Sequence, residues 1–292
     1  MDTVRYLQLD VFADKAGGGN PLGVVIGAEA WSDSALQRFA TWTGLVETTF
    51  LLPPSQPGAS YRVRIFTPSR EIAFAGHPTI GSAHAALETG LVPAGSTQLV
   101  QECGAGLLPI RISQENGARV LSVEAPRARA LEPDVLHAKL VRAILDRTPL
   151  GALPPGFVEG GRRWWIAEFA DETTLRQWQP DHAAIARLAK ASDSLGLCVF
   201  ARSHSPDYEV AVRAFPAGVG IVEDPASGAA NGLIGAWIAA GEPQGKLARG
   251  YRVSQGREIG RDARIGIRIE ADGGVWVGGV THTVIDGQAR WR

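Results

Sequence analysis

The sequence predicts an α+β fold made of two similar halves. Three observations predict it: short β-branched runs alternate with segments of helical spacing, one plan of motifs recurs half a chain later, and Gly reaches 35 of 292 residues with no collagen period. The glycines imply many tight turns, which favours a strand-rich architecture. The 45% hydrophobic content suffices for a sizeable core, and the length suits two domains of ordinary size.

Taken in chain order, residues 6–11, 23–26 and 48–52 are apolar, β-rich runs and read as strands, with a helical pattern over 32–43 opened by Ser32. Residues 61–66 form the next strand, followed by a helix of small residues over 78–87 and a strand over 119–123. In the second half, helical spacing covers 133–145, 173–179 and 182–190. Strands follow at 197–200 and 210–215, then a helix over 225–239 and strands at 263–269 and 274–277.

The charges, 29 Lys and Arg against 30 Asp and Glu, leave a net charge of -1, so no basic face is implied and nucleic acid is excluded as a partner. Cys103 and Cys198 are too few and too far apart for a disulfide scaffold or a thiolate zinc site. Residues 1–5 lack the charged and apolar regions of a secretory signal, so a cytoplasmic location is expected. The apolar stretch 229–240, interrupted by Asn231, is shorter than the ~20 residues of a membrane span, and no membrane role is expected.

The internal repeat is the most informative feature. Val63-Arg64-Ile65-Phe66 runs through a loop into Gly76-His77-Pro78, and Val212-Arg213-Ala214-Phe215 runs through a Gly-rich loop into Glu223-Asp224-Pro225. Phe66 and Phe215 lie 149 positions apart, Pro78 and Pro225 147, and Phe50 and Phe200 150. This places two domains at residues 1–128 and 129–292, with the closing strand free to return to the first. In each half a polar residue precedes a Pro and a small-residue helix, so His77 and Asp224 are expected at matching helix caps with Pro at the first helical position. Such starts present unpaired N–H groups. If the halves face each other, a small carboxylate could be held between them; plain capping is the alternative.

Glu47 lies in a strand-like run, 45–52, with no basic residue nearby. Partly desolvated there, its carboxyl would be pushed toward neutrality, as a general base requires; an outward-facing strand Glu is the alternative. Its counterpart in the second half, around Gly196 and Leu197, bears no carboxylate, which suggests a one-base reaction. Gly17-Gly18-Gly19-Asn20 lacks the Lys-[Ser/Thr] of a phosphate loop, leaving Asn20 either as an amide donor to substrate or as part of a simple turn.

Gly19-Asn20-Pro21, Glu47-Thr48-Thr49-Phe50, Ala75-Gly76-His77-Pro78 and Glu223-Asp224-Pro225-Ala226-Ser227-Gly228 together resemble the signature segments of the PhzF family of phenazine-biosynthesis-like proteins. Gly104-Ala105-Gly106, Gln255-Gly256 and Val277-Gly278-Gly279 extend the resemblance along nearly the whole chain. It implies a diaminopimelate-epimerase-like fold, two pseudo-symmetric domains each with a curled sheet or barrel around a central helix, and a homodimer. It also implies a cofactor-free, metal-free isomerase of a small carboxylate, similar to trans-2,3-dihydro-3-hydroxyanthranilate isomerase. By the match of motifs, Glu47 is the proton carrier, His77 and Asp224 are the other catalytic polar groups, and Asn20, Gly76, Ser227, Gly228 and Ala229 contact substrate. Val46 and Ala229 stand where the phenazine enzyme has hydroxyl residues, so the substrate itself stays open.

Other readings compete. A cysteine racemase on this fold would need thiols near Ala75 and in 228–230, where there are none; Cys103 and Cys198 read as packed thiols. His77 and His84, seven apart on one helix, are too few for a metal site, and His84 reads as an ordinary hydrogen-bonding group. Trp164 and Trp165 read as core or interface groups. A protein that binds a small carboxylate without turnover is the alternative from another class, disfavoured by a carboxylate at position 47.

Overall fold

The structure, a computed structural model, describes residues 2–291. The chain divides into two compact units, Met1–Glu124 with Gly278–Arg292, and Ala125–Val277. The first contains β1 (Asp2–Val11), β2 (Asn20–Ile26), α1 (Asp33–Thr43), β3 (Thr48–Leu52), β4 (Tyr61–Phe66), β5 (Glu71–Ile72), α2 (Gly76–Glu88), β6 (Gln98–Cys103), β7 (Gly106–Glu115) and β8 (Ala118–Glu124). The second contains β9 (Arg129–Leu131), α3 (Val135–Ile144), β10 (Gly156–Gly160), β11 (Arg162–Glu168), α4 (Glu172–Gln177), α5 (His182–Ala191), β12 (Leu197–Arg202), β13 (Val210–Phe215), α6 (Gly228–Gly241), β14 (Gly250–Gln255) and β15 (Ala263–Ile269). The strand β16 (Val275–Gly279) leads out of it, and β17 (Thr281–Trp291) pairs antiparallel with β1 along its length.

The same succession of pairings occurs inside each unit. In the first, β1–β2 is antiparallel, β2–β3 parallel, β3–β4 antiparallel, β4–β6 parallel and β6–β7 antiparallel. In the second, β10–β11, β11–β12, β12–β13, β13–β14 and β14–β15 run through the same alternation. A parallel pair requires a crossover, and helices supply it: α1 between β2 and β3, α2 between β4 and β6, α4 and α5 between β11 and β12, α6 between β13 and β14.

The side chains repeat as well. Arg64 on β4 grips Glu71 on β5 with two hydrogen bonds, 2.8 and 2.6 Å, and lies 5.1 Å over the Phe66 ring. Arg213 on β13 grips Glu223 with two of 2.9 Å and lies 5.2 Å over Phe215. Environment separates them, since the second pair is buried and the first partly exposed.

Helices α2 and α6 are the inner ones. Ten of the thirteen residues of α2 are buried, and it packs on β1, β2, β3, β4, β6, β8 and β17. Small residues make that possible: a Cβ on Gly81 would lie 2.4 Å from Leu22 and 2.9 Å from Val11. By contrast α1 is amphipathic, burying Ala35, Leu36, Phe39 and Ala40 against Val25, Phe50 and Phe66. Ser32 caps it by accepting from the Ala35 N–H, and Gly44 ends it at a φ of 65°. In the second unit Trp165 stacks on Phe157 at 4.7 Å within a core that includes Phe169, Leu188 and Phe215, and Trp164 is also buried, so both tryptophans are core groups.

The helix starts differ from the sequence expectation. Pro78 is the third residue of α2, not the first, and Ala75 holds the N-cap without a side-chain bond. Helix α6 begins at Gly228 with Ser227 as its cap, three residues beyond Pro225, so Asp224 does not cap it. Aligned on the true starts, Gly76 and Gly228, the halves are offset by 152 positions, and the counterpart of His77 is Ala229.

Candidate functional site

Two groups of sequence-predicted residues form, one in each unit. In the first, Glu47 is the residue before β3 and not part of the strand. The short turn from α1 into β3 is closed by a 2.9 Å hydrogen bond between the Thr43 and Thr48 hydroxyls, while Thr48 sits opposite Gly23 of β2. This holds Glu47 with its side chain 12% exposed and Oε2 3.5 Å from Nε2 of His77, itself 7% exposed in the first turn of α2.

The contact is not an ion pair at neutral pH. Burial lowers the His77 pKa to about 3, against a smaller upward pull from a hydrogen bond to the Pro21 carbonyl. His77 Nε2 is buried without a hydrogen-bond partner, so the proton donated to Pro21 is on Nδ1 and the lone pair of Nε2 faces Glu47. Neutral His77 therefore offers Glu47 an acceptor and no positive charge.

The segment carrying Pro21 is anchored from below. Oδ2 of buried Asp10 accepts from the N–H groups of Gly17 (2.6 Å) and Gly19 (3.1 Å), after Phe12 has turned the chain at a φ of 62°. Gly19 is required there, because a Cβ would lie 2.2 Å from the Val11 carbonyl oxygen. The turn delivers Asn20, fully buried, to the first position of β2. Gly76 opens α2 beside His77; Thr79 N–H is taken by the Ala75 carbonyl and Ala75 has no capping side chain, so the Gly76 and His77 N–H groups receive no side-chain cap.

In the second unit, Asp224 bridges to Ala214 of β13 and its Oδ1 accepts from the Ala226 N–H at 3.2 Å. Ser227 Oγ accepts from Ala230 N at 3.3 Å, Gly228 is buried, and Ala229 is exposed at the second position of α6. Sequence reasoning assigned no role to Gln255, whose fully buried amide joins Asp224, Ser227 and Asn231. Its signal was available: an amide ends the strand 250–255 immediately before Gly256, as Cys103 stands before Gly104, again 152 positions earlier. Asp10 was likewise missed.

The remaining candidates are structural. His84 Nε2 lies 3.0 Å from the Thr283 hydroxyl, with its pKa lowered to about 4 chiefly by burial. Burial raises the Cys198 thiol pKa, and its Sγ donates to the Trp165 carbonyl at 3.4 Å. Among the described residues, no group of three or more His, Cys, Asp or Glu side chains could hold a metal ion, and no helix is long and apolar enough to cross a membrane.

The pattern of the phenazine biosynthesis-like protein family, PhzC-PhzF, matches residues 9–289. The chain is 31% identical over 293 residues to antisense-enhancing sequence 1 of Schizosaccharomyces pombe, covering 97% of this chain and 98% of the relative. It is 30% identical over 270 residues to trans-2,3-dihydro-3-hydroxyanthranilate isomerase of Pseudomonas aeruginosa, covering 92% and 91%. Among solved structures, the PhzF-family phenazine biosynthesis protein of Bacillus anthracis superposes with a TM-score of 0.85 at 26% identity, over 99% of this chain and 100% of that one.

Proposed function

The chain belongs to the phenazine biosynthesis-like protein family, whose members include named isomerases, and from that premise we propose a cofactor-independent isomerase in which Glu47 carries the proton. The substrate class is a small cyclic or unsaturated carboxylate with an acidic C–H. The fold that goes with this reading is diaminopimelate-epimerase-like, each unit a curled sheet about its inner helix, supported by the repeated pairings and the burial of α2 and α6.

The observation that carries the reading is Oε2 of Glu47 lying 3.5 Å from Nε2 of His77, both side chains nearly buried, where burial keeps the imidazole neutral. Glu47 takes a proton from a substrate carbon as general base. The O–H so formed finds an acceptor in His77 Nε2, which keeps the proton in the site and the acid oriented until it is returned to a second carbon. Because Nδ1 is tied to the Pro21 carbonyl, His77 keeps one tautomer throughout. The Gly76 and His77 N–H groups, without a side-chain cap, suit a substrate carboxylate. Asp224 is assigned a polar catalytic role, and Asn20, Gly76, Ser227, Gly228 and Ala229 are assigned substrate contacts.

Val46 and Ala229 offer no hydroxyl to the substrate, which favours a ligand other than the hydroxylated aminodiene of the Pseudomonas relative. Proton NMR in D2O with trans-2,3-dihydro-3-hydroxyanthranilate, beside analogues lacking the hydroxyl or the amine, tests this. Isomerisation with solvent-dependent labelling of any of them supports the assignment; no exchange into any member of the set by the folded protein contradicts it.

A further inference from the structure

We infer that Gln255 is a positioning residue, a buried amide that fixes the turn of residues 224–228 and so the direction of the Asp224 carboxylate. The part about Asp224 acting on substrate rests on the function proposed above; the part about the turn does not.

Gln255 is the last residue of β14 and is fully buried. Its Oε1 accepts from the Ser227 N–H at 3.2 Å and from Asn231 Nδ2 at 2.8 Å, while its Nε2 donates to the Asp224 carbonyl at 2.7 Å. Asn231 Nδ2 also donates to the Ser227 carbonyl at 2.9 Å. Two donors face one end of the amide and a carbonyl faces the other, so only one orientation satisfies all three. One side chain thus holds the residue that carries the carboxylate, the residue that caps α6 and a residue of its first turn.

The strand end is pressed against the turn as well. Gly256, at a φ of 91°, has no room for a Cβ, which would lie 2.6 Å from the Pro225 carbonyl oxygen. In the first unit the same place is held by Gly104, where a Cβ would lie 2.9 Å from Ala73 Cα. There the preceding residue is Cys103, and a thiol cannot make an amide's three hydrogen bonds. In the unit that carries Glu47 the buried amide stands two residues earlier on β6, where Gln101 donates to the Thr79 hydroxyl of α2 at 3.0 Å, so an amide that reaches the turn before the helix is particular to the unit that carries Asp224.

The substitutions Gln255→Glu, read at a pH where the new carboxyl is ionised, and Gln255→Leu separate the bonds, because ionised Glu keeps an acceptor for Ser227 and Asn231 but loses the donor to Asp224, while Leu loses all three. Hydrogen exchange of the Ser227 amide in the full chain reads the turn directly. Exchange should quicken about tenfold or more in Gln255→Leu and stay near the wild-type rate in Gln255→Glu. Turnover of trans-2,3-dihydro-3-hydroxyanthranilate should fall about tenfold or more in both, and Asp224→Ala with Gln255→Glu should be no slower than Asp224→Ala alone. Unchanged Ser227 exchange in the Leu variant, or losses that multiply in the double variant, would overturn the inference. If Gln255→Leu fails to fold, slow Ser227 exchange with reduced turnover in Gln255→Glu still supports it, and wild-type turnover there refutes it. Wild-type turnover by Asp224→Ala, with the exchange pattern intact, would remove the role proposed for Asp224 and leave the turn assignment standing. If the wild type does not turn over the probe, the Ser227 exchange rates alone uphold or overturn the assignment.

Discussion

Acid should destabilise this protein through His77 by an amount that can be worked out. Its pKa falls from 6.5 to about 3 on folding because burial removes water from the imidazolium. Between those values the unfolded chain binds a proton that the folded protein does not, so stability rises with pH. The contribution is complete above pH 6.5 and is lost as pH falls toward 3. That fall corresponds to about 5 kcal/mol in full, and to roughly 3 kcal/mol between pH 7.5 and 4.5. Urea unfolding of the wild type and of His77→Gln at both pH values isolates it, because His84 and the carboxylates titrate in both proteins. The wild type should lose about 3 kcal/mol more than the variant on acidification. An imidazolium paired with Glu47 would have a raised pKa and the opposite sign, with the wild type gaining on the variant in acid. That outcome, or a gap unchanged within about 0.5 kcal/mol, refutes the neutral imidazole on which the proton-carrying role of Glu47 is built.

The repeated Arg–Glu grip gives a second test: Arg213→Ala strands the buried Glu223 and should cost about 3–5 kcal/mol in denaturant unfolding, whereas Arg64→Ala, in a partly exposed pair, should cost about 1 or less. Capping gives a third: Ser227→Ala should lower unfolding stability by about 1 kcal/mol, and Asp224→Ala by less, since Asp224 does not cap α6. Equal losses would restore the cap to Asp224. Gly19→Ala should cost about 1–3 kcal/mol and shift the Asn20 amide resonances, because the new methyl meets backbone that cannot move aside.

What was legible in the sequence was local. The strands 48–52, 61–66, 210–215 and 263–269 were visible because β-branched and apolar residues fill them, and Ser32 marked the start of α1 through its own cap bond. The strand β17 went unread: its face is largely exposed and polar, and pairing with β1 rather than its own pattern makes it a strand. The starts of α2 and α6 were misread because Pro is a strong local signal, whereas distant contacts decide the matter. Pro21 holds His77, and Gln255, 28 residues away, holds Ser227. The resemblance pointed to Glu47 and His77 individually, but the antiparallel β3–β4 pair and the turn into α2 bring them to 3.5 Å across 30 residues of chain, and no spacing rule announces that. The internal repeat was legible, yet aligning it on prolines matched His77 with Asp224 when the helix starts match it with Ala229.

The central claim is that the Glu47 carboxylate carries the proton. The measurement that tests it most directly is solvent-hydrogen exchange into a turned-over carboxylate, followed by NMR in D2O for the wild type and Glu47→Gln at equal folded concentration. Glu47→Gln keeps the size of the side chain and removes only its ability to take a proton, so exchange and isomerisation should both fall by at least about a hundredfold while ligand binding persists. Exchange at the wild-type rate in Glu47→Gln would contradict the account and move the proton to another group.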